Sequence, residues 1–561
     1  MTSGDDIRDI QTSQHRPKAY PPQIAWDSPL EPTTLPEIFE QSVRRFESKP
    51  CTNFFGQTMT YGELGAMTDE IAAGLSKLGV GIGTHLGLVL PNCPYFIAFF
   101  YAGLKLGATI ISFNPLYTVD ELAFQARDAE VTLLVTVDIA AIFDKVSALA
   151  DRGIVQHVIV CPFAAQLPPV KRLLFTTFKR GERASVPDGG TYLRLQDLRG
   201  HGRTYPLPDL DTQDIAVLQY TGGTTGTPKG VMLTHANLTV NVKQVRLWFH
   251  GVEEGGERIM GILPFFHVFA LTGVMNLAIA SGFELILMPR FQLVEALRLI
   301  RRCRATILPG VPTIFNALLN HPGLDKADLA SLKYCISGGA PLPLEVRKAF
   351  EALSGCRLVE GYGLSETSPV THINPFDGPS RDGSIGLPIP GTIAEIRSLD
   401  DPKQALPPGE NGELCISGPQ VMKGYWKQPD ETAKVFVGKF LRTGDVGHQD
   451  EDGFVYLVDR IKDIIIASGF NVYPRRIEEA IHEHPAVAEV TVIGIPHPYR
   501  GEAPKAFVKL RDGASLTERE LLDFLQAKLS KIELPSAIEF RDELPKTLIG
   551  KLSKKELRQS Q

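Results

Sequence analysis

Short apolar runs at 85–90 (HLGLVL), 131–137 (VTLLVTV) and 157–161 (HVIVC) alternate with longer amphipathic stretches such as 61–79 (YGELGAMTDEIAAGLSKLG). The short runs have the length and β-branched content of strands, and the longer ones have helical spacing. Such alternation predicts an α/β architecture with largely parallel sheets. Residues 166–208, rich in Pro, Gly and Arg, read as a long surface connection leading to an apolar strand at 214–220 (DIAVLQY). After 453–463 (GFVYLVDRIKD) the pattern restarts with 475–484 (RRIEEAIHEH), 487–496 (VAEVTVIGIP), 505–510 (KAFVKL) and 516–529 (LTERELLDFLQAKL). About 100 residues of this kind are enough for a separate small domain. The expected organisation is a large N-terminal domain of α/β subdomains over 1–461 and a small α+β C-terminal domain over 462–561. No internal repeat or low-complexity tract interrupts it.

Composition narrows the class. A chain of 561 residues exceeds one ordinary core. With 43% hydrophobic and 22% charged residues it is an ordinary globular chain. A net charge of -6 supplies no field for nucleic acid. Seven scattered cysteines without a C-x-x-C pair predict reduced, buried thiols. The acidic start MTSGDDIRDI lacks the layout of a secretory leader, so a cytoplasmic location is expected. Residues 259–283 carry no Lys, Arg, Asp or Glu and could span a bilayer on length alone. Pro264, His267, Gly273, Asn276 and Gly282 instead divide that run into strand, turn and helix pieces of a buried core.

The segment with the clearest chemistry is 220–230 (YTGGTTGTPKG). Glycines 222, 223, 226 and 230 let backbone N–H groups turn inward, threonine hydroxyls add donors, and Lys229 adds positive charge. A flexible Gly/Thr linker is the alternative, but an apolar strand leads in and Pro228 stiffens the loop. The loop suits a polyphosphate. Its spacing is not that of a Walker A loop, because Lys229 lies between Pro228 and Gly230.

With this loop, seven further segments follow in order: 263–273 (LPFFHVFALTG), 310–315 (GVPTIF), 337–343 (SGGAPLP), 360–369 (EGYGLSETSP), 442–445 (RTGD), 459–474 (DRIKDIIIASGFNVYP) and 545–557 (PKTLIGKLSKKEL). Together they resemble the adenylate-forming superfamily of acyl-CoA synthetases, adenylation domains and luciferases. The resemblance runs from about residue 35 onward and is greatest to bacterial long-chain fatty acyl-CoA synthetases. It implies a two-step reaction: a fatty acid and ATP give acyl-AMP and diphosphate, then acyl-AMP and coenzyme A give acyl-CoA and AMP.

The resemblance also implies roles for individual residues. Thr221, Gly222, Gly223, Thr224, Thr225, Gly226 and Lys229 would hold the phosphates, with Thr221 and Glu366 as ligands of Mg2+. Tyr362 would stack on adenine, in a slot lined by Gly338, Gly339, Ala340 and Pro341, with Gly363 and Thr367 beside it. Asp445 would accept from both ribose hydroxyls, since a carboxylate offers two oxygens, and Arg460 would add a ribose or phosphate contact. Lys551 matches the family's catalytic lysine, Lys462 its hinge, and Gly469 the glycine beside the pantetheine channel. Gly222 stands where many relatives carry serine, and Ser553 and Lys554 follow the Gly-Lys-Leu of 550–552 where basic residues are common in the family.

The implied acyl pocket draws on 267–275, 310–315 and 338–340, including Phe266, Val268, Leu271, Gly310, Phe315 and Gly338, with His267 positioning the acid. It contains no Asp or Glu. An amino-acid substrate would leave its ammonium unpaired there. An apolar tunnel suits an alkyl chain, at about 0.8 kcal/mol per buried methylene. Residues 170–183 (VKRLLFTTFKRGER) set apolar side chains among basic ones and form a candidate patch for anionic lipid, on the inner face of the cell membrane. Packing against the protein's own surface is the alternative. A homodimer is held open as the assembly. Rival functions at this stage are a fatty acyl-AMP ligase delivering to a carrier protein, a medium-chain or aryl acid-CoA ligase, a luciferase-like oxygenase, and a catalytically silent fatty-acid or nucleotide sensor.

Overall fold

The computed structural model describes residues 16–200, 202–221, 228–378, 380–468, 470–546 and 552–559. Strand–helix alternation along the first half gives two large sheets. In the first, six strands run parallel in the order Ile215–Thr221, Thr109–Ser112, His85–Val89, Leu133–Val137, His157–Cys161 and Tyr192–Arg194. Lys229–Thr234 and then Gly424–Tyr425 extend it antiparallel at one edge. In the second, Pro50–Phe54, Glu284–Leu287, Arg258–Gly261, Ile307–Gly310, Tyr334–Gly338 and Leu358–Gly363 run parallel, with antiparallel strands at both edges. Every residue of Thr109–Ser112 and Leu133–Val137 is buried, as expected of parallel strands covered on both faces.

One continuous core joins the two sheets. It takes in Leu86 and Ile110 from the first and Ile259, Leu285 and Ile307 from the second. The helix Pro94–Lys105 is buried over all twelve residues, which matches a sequence apolar on every side. The helix expected at 61–79 spans Tyr61–Lys77. It starts with a capping box in which the Thr60 hydroxyl accepts from Glu63 N and the Glu63 carboxylate accepts from Thr60 N.

A third, antiparallel sheet comprises Ile393–Arg397, Gly412–Ser417, Phe436–Val437, Phe440–Gln449 and Val455–Arg460. The C-terminal pattern forms a fourth sheet of Ile465–Ala467, Phe470–Val472, Val487–His497, Gly501–Leu510 and Ala537–Phe540, covered by helices Pro474–His482 and Glu518–Gln526. Its apolar cluster, from Ile465 to Ile538, is separate from the large core.

The supposed connection at 166–208 contains the ten-residue helix Pro169–Phe178 and the edge strand Tyr192–Arg194, so it is a structured part of the first sheet's margin. The charge-free run at 259–283 breaks into the strand Arg258–Gly261 and the short helical pieces Val268–Ala270, Leu271–Asn276 and Leu277–Ser281. Among the described residues no helix is long and apolar enough to cross a membrane. Six of the seven cysteines are buried, and Cys303 is half-buried.

Candidate active site

Thr221 and Lys229 sit at the mouth of a hairpin. Ile215–Thr221 pairs antiparallel with Lys229–Thr234, so Thr221 faces Lys229 across the last rung. Gly222, Gly223, Thr224, Thr225 and Gly226 lie outside the described residues. Lys229 Nζ is 2.6 Å from Glu431 Oε2 and 5.0 Å from the centre of the Tyr425 ring. The Tyr425 hydroxyl donates to Glu366 Oε1 at 2.9 Å. Tyr425 therefore links the two charged groups expected to meet the phosphates and their metal.

Glu366 is presented by a tight turn. Thr367 is buried, and its hydroxyl accepts from Leu364 N at 3.0 Å and donates to the Pro369 carbonyl at 2.5 Å. The structure thus gives the Thr367 hydroxyl a part in shaping the turn. A Cβ on Gly363 would fall 1.9 Å from the Pro369 carbonyl oxygen, so no side chain fits there. The Glu366 carbonyl accepts from Met422 N at 2.8 Å, which ties the turn to the segment carrying Tyr425.

The nucleoside candidates converge on one carboxylate. Asp445, 4% exposed on Phe440–Gln449, accepts from Arg460 Nε at 2.9 Å and from the Tyr362 hydroxyl at 2.5 Å. Burial raises the Tyr362 phenol well above its usual range, so it remains a donor. Glu413, which the sequence reading did not single out, braces the RTGD turn: Glu413 accepts from Arg442 Nε at 2.7 Å and from Gly444 N at 3.0 Å. Parallel pairing sets Gly338 beside Gly361, one residue before Tyr362, and Gly339, Ala340 and Pro341 follow directly after that strand.

The acyl-pocket candidates lie on a loop held from beneath. Asn92 is buried; its amide donates to the Gly261 and Leu263 carbonyls and its oxygen accepts from Phe265 N. Gln219 donates to the Phe266 carbonyl at 2.9 Å. His267 caps Val268–Ala270, its Nδ1 accepting from Phe269 N at 3.3 Å, which leaves the ring proton on Nε2. Val268 and Leu271 are buried. A Cβ on Gly338 would lie 3.0 Å from the Phe269 ring and one on Gly273 3.4 Å, so Phe269 fills the space these glycines leave. Phe315 packs on Gly310 in the same way, with its ring 5.0 Å from that of Phe350. Phe269 lies within the 267–275 span expected to line the pocket, at the end of the FFHVF run.

Of the small-domain candidates, the structure describes Lys462, which is close enough to Arg460 and Asp445 to feel their charges. Lys462 is exposed on the single turn Ile461–Asp463. Around it, Asp459 accepts from Arg475 N at 2.8 Å, and Arg558 pairs with Asp463 at 2.8 Å. Gly469 and Lys551 lie outside the described residues.

Glu360, in the EGYG segment, is buried, and burial pushes its carboxyl up to about 7, against the pull of Arg475 and Arg347 and a hydrogen bond from Leu342 N, with Glu479 adding to the rise. The folded chain keeps a proton on Glu360 that the unfolded chain releases near 4.5. Its stabilising contribution is therefore complete below about pH 4.5 and lost as pH rises through about 7. Glu360→Gln should gain on the wild type in urea midpoint between pH 5 and pH 8. A flat difference across that range would remove the assignment.

Comparison with known proteins places the chain in a family. Residues 39–426 match the family described as AMP-binding enzyme, and residues 476–551 match the AMP-binding enzyme C-terminal domain. The chain is 44% identical over 542 residues to a long-chain-fatty-acid–CoA ligase of Bacillus subtilis (strain 168), with 96% of each chain covered. It is 38% identical over 548 residues to the enzyme of that name from Escherichia coli O6:H1, covering 96% of this chain and 97% of the other. Among solved structures, ATP-bound MatB from Rhodopseudomonas palustris superposes with a TM-score of 0.82 at 29% identity, covering 94% of this chain and 99% of that one. The large N-terminal and small C-terminal domains are those of adenylate-forming enzymes. The chain belongs to the AMP-binding enzyme family.

Proposed function

We propose that this chain is an AMP-forming acid–thiol ligase that converts a long-chain fatty acid, ATP and coenzyme A to acyl-CoA, AMP and diphosphate. The observation that carries the reading is the presence of two groups, Lys229–Tyr425–Glu366 for phosphates and Tyr362–Asp445–Arg460 for the nucleoside. Full-length similarity to long-chain ligases supports the choice of acid and thiol.

In the first step a carboxylate oxygen bonds to the α-phosphorus and diphosphate leaves. Asp445 holds the ribose, Tyr362 covers the adenine, and Lys229 with the loop 222–226 holds the departing phosphates. Lys551 places positive charge between two approaching anions, while His267 orients the acid. Gly338, Gly310 and the apolar side chains Phe266, Val268, Leu271 and Phe315 receive the alkyl chain. Glu366 and Thr221 offer the hard oxygen donors that suit Mg2+. When bound with ATP, this ion would neutralise phosphate charge.

In the second step the coenzyme A sulfur bonds to the acyl carbon and AMP departs. The small domain, beginning at residue 462, turns about Lys462, withdraws Lys551 and brings Gly469 to the pantetheine. A product assay with ATP, magnesium and acids from acetate through palmitate to a cinnamate tests the whole reading. Palmitoyl-CoA with AMP is expected. Acyl-AMP without thioester would mean delivery to a carrier protein, preferential turnover of cinnamate would move the substrate class to aryl acids, and no AMP from any acid would mean a silent sensor.

We also place the protein in the cytoplasm, resting on anionic lipid through Pro169–Phe178. That helix has no buried residue, and Val170, Leu173, Leu174 and Phe178 are 71%, 66%, 49% and 80% exposed along one face. Phe175 anchors the other side on Phe163, and Lys171 donates to the Phe55 carbonyl at 2.9 Å. Arg172, Lys179, Arg180 and Arg183 flank the exposed stripe. Changing Leu173 and Phe178 together to Gln should lower binding to phosphatidylglycerol vesicles about tenfold or more without altering turnover of a soluble acid. Equal sedimentation of both proteins would overturn the contact. Light scattering on the same preparation tests the homodimer.

A further inference from the structure

The carboxylate facing Lys229 has no place in the reaction just described, yet its position is built. Glu431 stands in the first turn of the short helix Pro429–Val435. That helix is fastened to the phosphate hairpin by several independent contacts. Gly424–Tyr425 pairs with Val231 and Met232 as an edge strand, and Trp426 N donates to the Gly230 carbonyl at 2.7 Å. Tyr425 N donates to the Thr432 hydroxyl at 2.8 Å, and that hydroxyl donates to the Gln428 carbonyl at 2.9 Å. Glu431 is thus fixed relative to Lys229 although the two residues are 202 positions apart.

Glu431 uses both oxygens. Oε2 lies 2.6 Å from Lys229 Nζ and Oε1 2.6 Å from Lys434 Nζ. Lys229 is mostly buried, 18% exposed, whereas Glu431 is 37% and Lys434 68% exposed. Tyr425 completes the arrangement, its ring beneath Lys229 and its hydroxyl on Glu366.

We infer that Glu431 is a displaceable counter-ion of Lys229, occupying the lysine when no nucleotide is bound and yielding it to the polyphosphate of ATP. The Glu431 side of this pair is open to water, which weakens it, and a triphosphate brings Lys229 several charges where Glu431 brings one. Lys434 keeps Glu431 paired after displacement, so yielding Lys229 does not leave the carboxylate alone. As diphosphate departs, Glu431 pairs with Lys229 again, and release of a highly charged product does not strand a mostly buried ammonium. Glu431 therefore weakens ATP and diphosphate binding together. It touches neither reacting atom and acts only through Lys229.

This inference rests on Lys229 contacting the ATP phosphates, and the test separates the two claims. Initial rates are measured against ATP, with diphosphate as product inhibitor, for wild type, Glu431→Gln, Lys229→Ala and the double variant. Glu431→Gln should lower the KM for ATP and the inhibition constant of diphosphate by roughly three- to tenfold each, and the double variant should match Lys229→Ala. Lys434→Gln should do the opposite, raising the KM for ATP as Glu431 turns wholly to Lys229. If Lys229→Ala raises the KM for ATP while Glu431→Gln moves neither constant beyond twofold, the counter-ion role is wrong and the phosphate role of Lys229 stands. If Lys229→Ala leaves both constants unchanged, the reading of Lys229 itself fails and the inference falls with it.

Discussion

Replacing Lys551 with alanine should cut the rate of adenylate formation about a thousandfold while leaving thioester formation from supplied acyl-AMP within a few-fold of wild type. The first step brings a carboxylate to a phosphate that already carries negative charge. A cation about 4 Å from each, at an effective dielectric near 20, is worth roughly 4 kcal/mol per pair. Losing one such interaction from the barrier corresponds to about three orders of magnitude in rate. The neighbouring lysines are poorly placed to substitute. Lys546 is 2.6 Å from Glu489, and Lys554 is 2.9 Å from Glu478, both within the small domain.

Lys462→Ala should behave in the opposite way, sparing acyl-AMP formation and slowing its consumption by coenzyme A, because it alters the turn between domains and not the charge at the α-phosphorus. The two half-reactions are read separately, by acid-dependent exchange of labelled diphosphate into ATP and by release of AMP from synthetic acyl-AMP with coenzyme A. If both half-reactions survive Lys551→Ala equally, the lysine has another role.

The fold was legible where burial writes a simple pattern. Parallel strands covered on both faces give runs such as 131–137, in which Leu133–Val137 proves wholly buried. The Thr60/Glu63 box marks a helix start as plainly. The helix Pro169–Phe178 was read as part of a connection because most of its apolar side chains, Val170, Leu173, Leu174 and Phe178, face outward and mark no core face. Tyr192–Arg194 is three residues long, too short for any periodicity. In the candidate site, Tyr362 and Asp445 stand in motifs and were named through the resemblance. Tyr425, Glu431, Glu413 and Asn92 were not, because each acts through a partner remote in sequence: 59 positions from Tyr425 to Glu366, and 169 and 171 from Asn92 to the two carbonyls it holds. A tyrosine or an asparagine carries no local sign of such a partner. Only the folded register supplies it.

Asp445→Ala should lower kcat/KM for ATP by about two to three orders of magnitude, with most of the loss in KM. Two ribose hydroxyls donating to one carboxylate are worth about 1.5–3 kcal/mol each when the acceptor is charged. Deletion also takes away the partner of Arg460 Nε and of the Tyr362 hydroxyl, the latter on the ring proposed to cover adenine. That second effect is structural, and nucleotide analogues separate it from the first. Wild type should turn over 2′-deoxy-ATP and 3′-deoxy-ATP each about tenfold or more less efficiently than ATP, whereas Asp445→Ala should treat all three nearly alike, since the hydroxyls then have no carboxylate to meet. Tyr362→Phe keeps the ring and the carboxylate, so it should retain discrimination among the analogues and lose only a few-fold in KM. If Asp445→Ala is slow yet still discriminates as wild type does, the carboxylate serves only to hold Arg460 and Tyr362 in place, and the ribose is read by another group.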